Sequence, residues 1–186
     1  MAQPEQEEGT HKELHPLLQE FVDEHQAALE TIEQFEAVVQ ATRAKGMDDD
    51  RVNLINEFYE FFGDCILGHN EREEQTVFLS LQRELLEREE FQESEKKRTA
   101  VELLHSDHIK ELQLAAVSFN LFGLALRLPD PTSRLLTIDL AAEQAIELIE
   151  LLKLHFSREE DIVFPMAQEY IAQDEFDAMY VPEKMS

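Results

Sequence analysis

Two stretches of the chain place a glutamate four residues after a histidine: His69-Asn70-Glu71-Arg72-Glu73-Glu74-Gln75-Thr76-Val77-Phe78-Leu79 and His155-Phe156-Ser157-Arg158-Glu159-Glu160-Asp161-Ile162-Val163-Phe164-Pro165. On a helix, residues four apart lie one above the other, so each stretch can present an imidazole and a carboxylate to one metal ion. Upstream of each copy stands an acidic residue beside a histidine, Asp23-Glu24-His25 and Ser106-Asp107-His108, followed four residues on by Leu29 and Leu112. The spacing from His25 to His69 nearly matches that from His108 to His155. The sequence therefore reads as two helical hairpins, each offering one His and then a His with a Glu, and the duplication implies two metals.

A single histidine on an apolar stripe is more often a hydrogen-bonded core residue than a ligand. Here Glu73 and Glu159 continue apolar helix faces, and burying a carboxylate without compensation costs several kcal/mol. Something cationic is needed beside them. Glu74 and Glu160 lie off the stripe and read as solvent-facing, salt-bridged residues, while Arg72 and Arg158 read as rim arginines paired with acidic neighbours. Mixed His and carboxylate donors suit iron or manganese better than zinc, because structural zinc sites favour Cys-rich sets. Two octahedral metals offer about twelve positions, of which four His and two bridging Glu fill about eight, leaving room for solvent bridges and a small exogenous ligand.

The elements that must position these side chains follow from periodicity. One helix is predicted from Pro16, whose ring suits a first turn, to about Ala44, with Leu18, Phe21, Val22, His25, Ala28, Leu29, Ile32 and Phe35 on its inner stripe. A turn at Lys45-Gly46-Met47-Asp48 leads to a second helix from about Asp49, burying Leu54, Phe58, Phe62, Cys65, Ile66, His69 and Glu73. The charged stretch from Ser80 to Glu93 reads as a connection with room for a short helix, and Ser94 as the cap of a third helix from about Glu95 to Phe122. Its inner face is predicted as Val101, Leu104, His105, His108, Leu112, Ala115 and Phe119. A fourth helix from about Pro131 to Phe164 aligns Ala141, Ala145, Leu148, Leu152, His155, Glu159, Ile162 and Met166, with Pro165 expected to end or kink it before a short C-terminal helix. The fold class is all-α, an up-down-up-down four-helix bundle over residues 15–179 with tails at 1–14 and 180–186.

Composition narrows the function. A formal charge of −25, from 41 acidic and 16 basic residues in 186, disfavours phosphate binding, so nucleic acid and anionic membranes are not expected partners. Five Gly and six Pro are few for this length, as a mostly helical protein requires. The segment Met1 to Thr10 is polar and acidic and lacks the pattern of a secretion signal, and the single Cys65 suits a reducing cytoplasm.

With these residues in place, the chain resembles the hemerythrin-like (HHE cation-binding) family, four-helix bundles enclosing a non-haem di-iron centre. The resemblance covers residues 16 to about 165. It rests on His25, His69 with Glu73, His108, and His155 with Glu159, which fit one His on the first and third helices and His plus carboxylate on the second and fourth. It implies two iron ions bridged by the Glu carboxylates and by oxo or hydroxo, with O2, NO or peroxide as the small ligand. Oxygen-carrying hemerythrins have a fifth histidine on the third helix and a longer His-to-Asp spacing on the fourth. Here His105 stands as a candidate fifth ligand or a replacement for His108, and the duplication favours His108.

The four-His, two-Glu set is closer to the bacterial members implicated in nitric oxide and oxidative stress, including iron-sulfur repair proteins. Those carry an N-terminal cysteine-containing segment, which this sequence lacks. Ferritin-like oxidases need Glu-x-x-His on two core helices, and only Glu102 to His105 fits. The expected function is binding of O2, NO or peroxide for sensing, storage or stress response, with walls from Phe21, Phe58, Phe62, Leu112, Phe119 and Leu152. A di-iron redox enzyme and a metal-free interaction bundle are the alternatives, and no general acid, nucleophile or organic-substrate pocket is legible.

Overall fold

The computed structural model describes residues 13–91 and 97–180. The first helix, α1 (Pro16–Lys45), starts where Pro16 occupies the first turn and His15 Nδ1 accepts from Leu17 N–H at 3.2 Å. It stops at Gly46, whose φ of +81° suits a residue without a Cβ, and Asp48 then caps α2 (Asp49–Phe61) by accepting from Arg51 N–H. A π-helical turn, Phe62–Ile66, joins α2 to α3 (Leu67–Gln75). After a break at Thr76 the chain continues as α4 (Val77–Glu87), which begins in the first duplicated motif and runs into the stretch from Ser80 read from sequence as a connection with room for a short helix.

Helix α5 (Ala100–Ala125) begins at Thr99, whose hydroxyl accepts from Glu102 N–H while the Glu102 carboxylate accepts from Thr99 N–H. The expected cap Ser94 lies outside the described residues. Helix α6 (Pro131–Arg158) passes through a second π-helical turn, Glu159–Val163, into α7 (Phe164–Tyr170), and α8 (Gln173–Met179) follows. Among the described residues there is no strand, so the fold is all-α. Helix α5 packs along α6, and α1 packs along both α6 and α2. Among the described residues no helix is long and apolar enough to cross a membrane.

The core is divided. One cluster joins Ala28, Ile32, Phe35, Val39, Phe58, Phe62, Ile66, Phe122, Leu148 and Leu152, with Phe35 and Phe58 stacked at 3.7 Å. The other joins Leu18, Phe21, Val77, Phe78, Leu81, Leu104, Val163, Phe164 and Phe176. On each site-bearing helix the histidines and carboxylates fall between residues of these two clusters.

Several expected core positions are on the surface. Leu54 and Cys65 are exposed while Ile55 is buried, and Ile162 is exposed while Val163 and Ala167 are buried. The π turns account for the changes next to them. Leu67 N–H bonds to Phe62 O and Phe164 N–H to Glu159 O, each five residues back, which inserts one residue and rotates the following stripe. On α5 the buried face runs through Leu104, Asp107, His108, Glu111, Ala115, Ser118 and Phe122, so His105, Leu112 and Phe119 point outward.

Pro165 does not end its helix, because it sits in the first turn of α7, where the widened turn has already shifted the carbonyls its ring would strike. Pro165→Ala is therefore expected to change stability by less than about 1 kcal/mol, against about 3 kcal/mol for a proline in a regular helix interior. Chemical denaturation followed by circular dichroism checks this, and a gain near the larger figure would count against the widened turn.

Candidate metal centre

The structure brings His25, His69, Glu73, His108, His155 and Glu159 together as two overlapping groups. One holds His25, His69, Glu73 and Glu159 and the other Glu73, His108, His155 and Glu159, with donor atoms in each within 4.8 Å of one another. All six residues are buried. They come from α1, α3, α5 and α6, with Glu159 at the first position of the π turn.

The inner nitrogens face one another. His25 Nε2 lies 2.9 Å from His69 Nε2, and His108 Nε2 lies 2.9 Å from His155 Nε2. Each glutamate divides its oxygens between the two pairs. Glu73 Oε1 is 3.4 Å from His69 Nε2 and its Oε2 is 3.6 Å from His108 Nε2. Glu159 Oε2 is 3.2 Å from His25 Nε2 and its Oε1 is 3.0 Å from His155 Nε2.

The outer nitrogens fix the tautomers. His25 Nδ1 is 2.9 Å from Glu160 Oε1, His69 Nδ1 is 2.7 Å from Glu24 Oε2, and His108 Nδ1 is 2.8 Å from Glu74 Oε1. Ionised carboxylates only accept, so these Nδ1 atoms carry the proton and a neutral ring turns its Nε2 lone pair inward. His155 Nδ1 is held more loosely, 3.8 Å from Asp107 Oδ2 and 3.9 Å from Glu111 Oε1. Arg72 and Arg158 clamp the outer carboxylates, donating to Glu24 and to Asp107 at 2.6 Å.

Lone pairs meeting at 2.9 Å repel unless a cation lies between them. The carboxylates make the same demand, because no hydrogen bond reaches any oxygen of Glu73 or Glu159 within the described structure. Without a metal, protons must fill the need. Burial alone would lower the His69 pKa, but the charges of Glu73 and Glu159 and the bond to Glu24 hold it up at about 10. His155 is likewise raised well above its usual value against the pull of burial, chiefly by Glu159. Burial and the nearby Glu159 charge push Glu73 up, whereas Glu159 is held down because the His155 and His25 contacts outweigh its burial. A buried His/Glu set of this kind could hold a metal ion, and its residues fit that use.

Four readings made from sequence change here. His105 does not join the set; its side chain is 56 % exposed and its Nδ1 pairs with Glu74 at 2.9 Å. Glu74 and Glu160 are partly exposed but hold His108 and His25, a role invisible in sequence because each carboxylate reaches across to the other hairpin. Leu112 and Phe119 are not walls of the site, being 50 % and 46 % exposed. Glu111 was not anticipated; it is fully buried, with Oε1 unpartnered and Oε2 accepting from Asn70 Nδ2 at 3.2 Å. Burial pushes its carboxyl up. Its place three residues after His108 and four before Ala115, on the same helix face, was the one available signal.

Removing an outer carboxylate should loosen a ring without removing a donor. Glu24→Ala, Glu74→Ala and Glu160→Ala are each expected to weaken metal affinity about 10–100-fold, as measured by competition with a chelator. Glu73→Gln is expected to keep the metal-free fold, with circular dichroism unchanged, and to abolish the rise in melting temperature on adding metal. A normal rise in that variant would remove Glu73 from the set.

No family model, curated protein or solved structure matches the chain.

Proposed function

We propose that the chain is a hemerythrin-like protein: an up-down-up-down four-helix bundle of α1, α2 with α3, α5 and α6 that holds two non-haem iron ions and binds O2, NO or peroxide. The observation that carries this reading is the sharing of Glu73 and Glu159, each of which offers one oxygen to each histidine pair. A carboxylate placed this way bridges two cations; around a single ion, half of its oxygens would be left without a partner.

A mixed donor set of four His and two Glu, with no cysteine in it, suits iron better than zinc. When bound, iron supplies electrons and open coordination positions for a small ligand.

The chain's own residues supply the rest. Phe156 stacks on His25 at 4.1 Å and Phe78 on His108 at 5.7 Å, excluding water and fixing ring planes. Glu24, Glu74 and Glu160 hold the Nδ1 protons outward. A cavity of about 400 Å³, lined by Ala27, Ala28, Ile66, Gly68 and Phe156, reaches His25 and His69 and gives a diatomic molecule or peroxide room to approach. A reducing cytoplasm belongs to the proposal and is supported by the single cysteine. A metal-free interaction bundle is disfavoured, since it gives no reason for four imidazoles and two shared carboxylates to converge in the interior.

The test is elemental analysis together with the visible spectrum of anaerobically reduced protein before and after O2 and then NO. The expected result is about two irons per chain, one for each His pair, and an oxygen-dependent band. Reversibility of the band assigns carrying or sensing; irreversible oxidation with loss of added peroxide assigns redox turnover. Folded protein that takes up no iron would overturn the proposal.

A further inference from the structure

The outward face of α5 differs from the rest of the surface. The chain is 31 % charged residues, yet none stands between Leu112 and Leu126. Along that face Ile109, Leu112, Phe119 and Leu126 are each about half exposed, at 49, 50, 46 and 51 %. With Ala116 and Gly123 they recur at alternating steps of three and four, the spacing of a coiled-coil seam that has no partner here.

The seam borders a groove between α5 and α2. Two adjoining hollows of about 380 and 340 Å³ share Asn56 and Phe119. Side chains span the groove, with Tyr59 edge-on to Phe119 at 5.1 Å and its hydroxyl donating to Ser118 Oγ at 2.6 Å.

We propose that this face seats the same face of a second copy of the chain, α5 against α5, antiparallel about a twofold axis. Charge selects the place, and a complementary pair of side chains selects the partner. Two copies of a chain carrying −25 repel wherever carboxylates meet, and the uncharged run is where they can approach closely. The charged groups lining the hollows are Glu60 at the Leu112 end and Arg127 at the Leu126 end. Arg127 Nη1 donates to Gly123 O at 2.7 Å, which sets its guanidinium level with Gly123. Antiparallel pairing brings Glu60 of each copy to the level of Arg127 of the other, whereas parallel pairing leaves the two groups at different heights along the seam.

Size selects the register. With the axis midway between Ala116 and Phe119, Phe119 meets the second copy's Ala116, Leu112 meets its Gly123, and Ile109 meets its Leu126. Large thus faces small where Phe119 meets Ala116, as interdigitated helices require, and Leu112 meets Gly123 beside the Arg127 guanidinium that lies against it. An isologous contact of this kind closes at two copies.

Sedimentation equilibrium of the full chain across the micromolar range tests the proposal. The expected mass is twice 21.6 kDa. Leu112→Glu with Phe119→Glu should weaken association by roughly 30-fold or more while leaving the helical circular dichroism unchanged, because both side chains are half exposed on the outer face of α5. Glu60→Arg alone and Arg127→Glu alone should each weaken it, and the two together should restore it. A single-chain mass throughout the range overturns the proposal, as does a dimer indifferent to the paired glutamates. Failure of the double charge exchange to restore association overturns the antiparallel register.

Discussion

Two carboxylates buried between two apolar cores, with no hydrogen bond to either, set the terms for everything around them. Glu73 and Glu159 are wholly inaccessible. Neither can be neutralised by relaxing toward water, and their proximity makes simultaneous ionisation costly unless positive charge lies between them. The four imidazoles do not settle the matter by themselves, because three of them have their outer proton committed to a carboxylate. The centre therefore carries a standing demand for cations, met by protons when no metal is there. The second ring of Glu24, Glu74, Asp107 and Glu160 raises that demand and at the same time prevents the rings from turning away.

Such a centre must be held by the cores on either side of it, and the helices face a problem of phase in doing so. A regular helix drifts relative to any fixed face, so one that buries Phe58 and Phe62 cannot indefinitely keep His69, Glu73 and Val77 on the same side. The π turn at Phe62–Ile66 resets the phase before the first His/Glu pair, and the one at Glu159–Val163 resets it from the second pair onward. Inserted residues of this kind are costly in hydrogen-bond geometry and persist where side-chain placement matters more. The first lies just before one duplicated motif and the second lies within the other, which ties the irregular backbone to the buried charges.

The same irregularity limited what could be read in advance. The bounds of α1, the turn at Gly46 and the start of α2 were legible, since Pro16, Gly46 and Asp48 are local signals. The six His and Glu residues were legible as one set because duplication exposes them without knowledge of contacts. Cys65 and Ile162 were misplaced by carrying a constant period into turns that add a residue, and Leu54 by stepping four residues back from Phe58 where α2 instead buries Ile55, three back. Leu112 and Phe119 were misplaced for a different reason: α5 is apolar on both faces, so periodicity could not tell the core face from the outer one. The crossing of Glu74 and Glu160 between hairpins depends on tertiary pairing alone, and no sequence pattern carries it.

Duplication makes the two halves alike in donors but not in their surroundings. The residue after His69 is Asn70, where the residue after His155 is Phe156; the residue three after His25 is Ala28, where the residue three after His108 is Glu111. Phe156 and Ala28 accordingly line the apolar cavity against His25 and His69, while Asn70 and Glu111 fill the other half with a buried amide and a carboxylate. His155 also lacks the close Nδ1 partner that the other three histidines have. A buried carboxyl near His155 and a largely apolar space near His25, lined also by Glu24, Asp64 and Arg72, act differently on a cation and on a neutral ligand. The first favours retained positive charge, and the second favours an uncharged molecule displacing water. Two groups built from the same donors, two His and two Glu each, are thereby made chemically unequal by their neighbours.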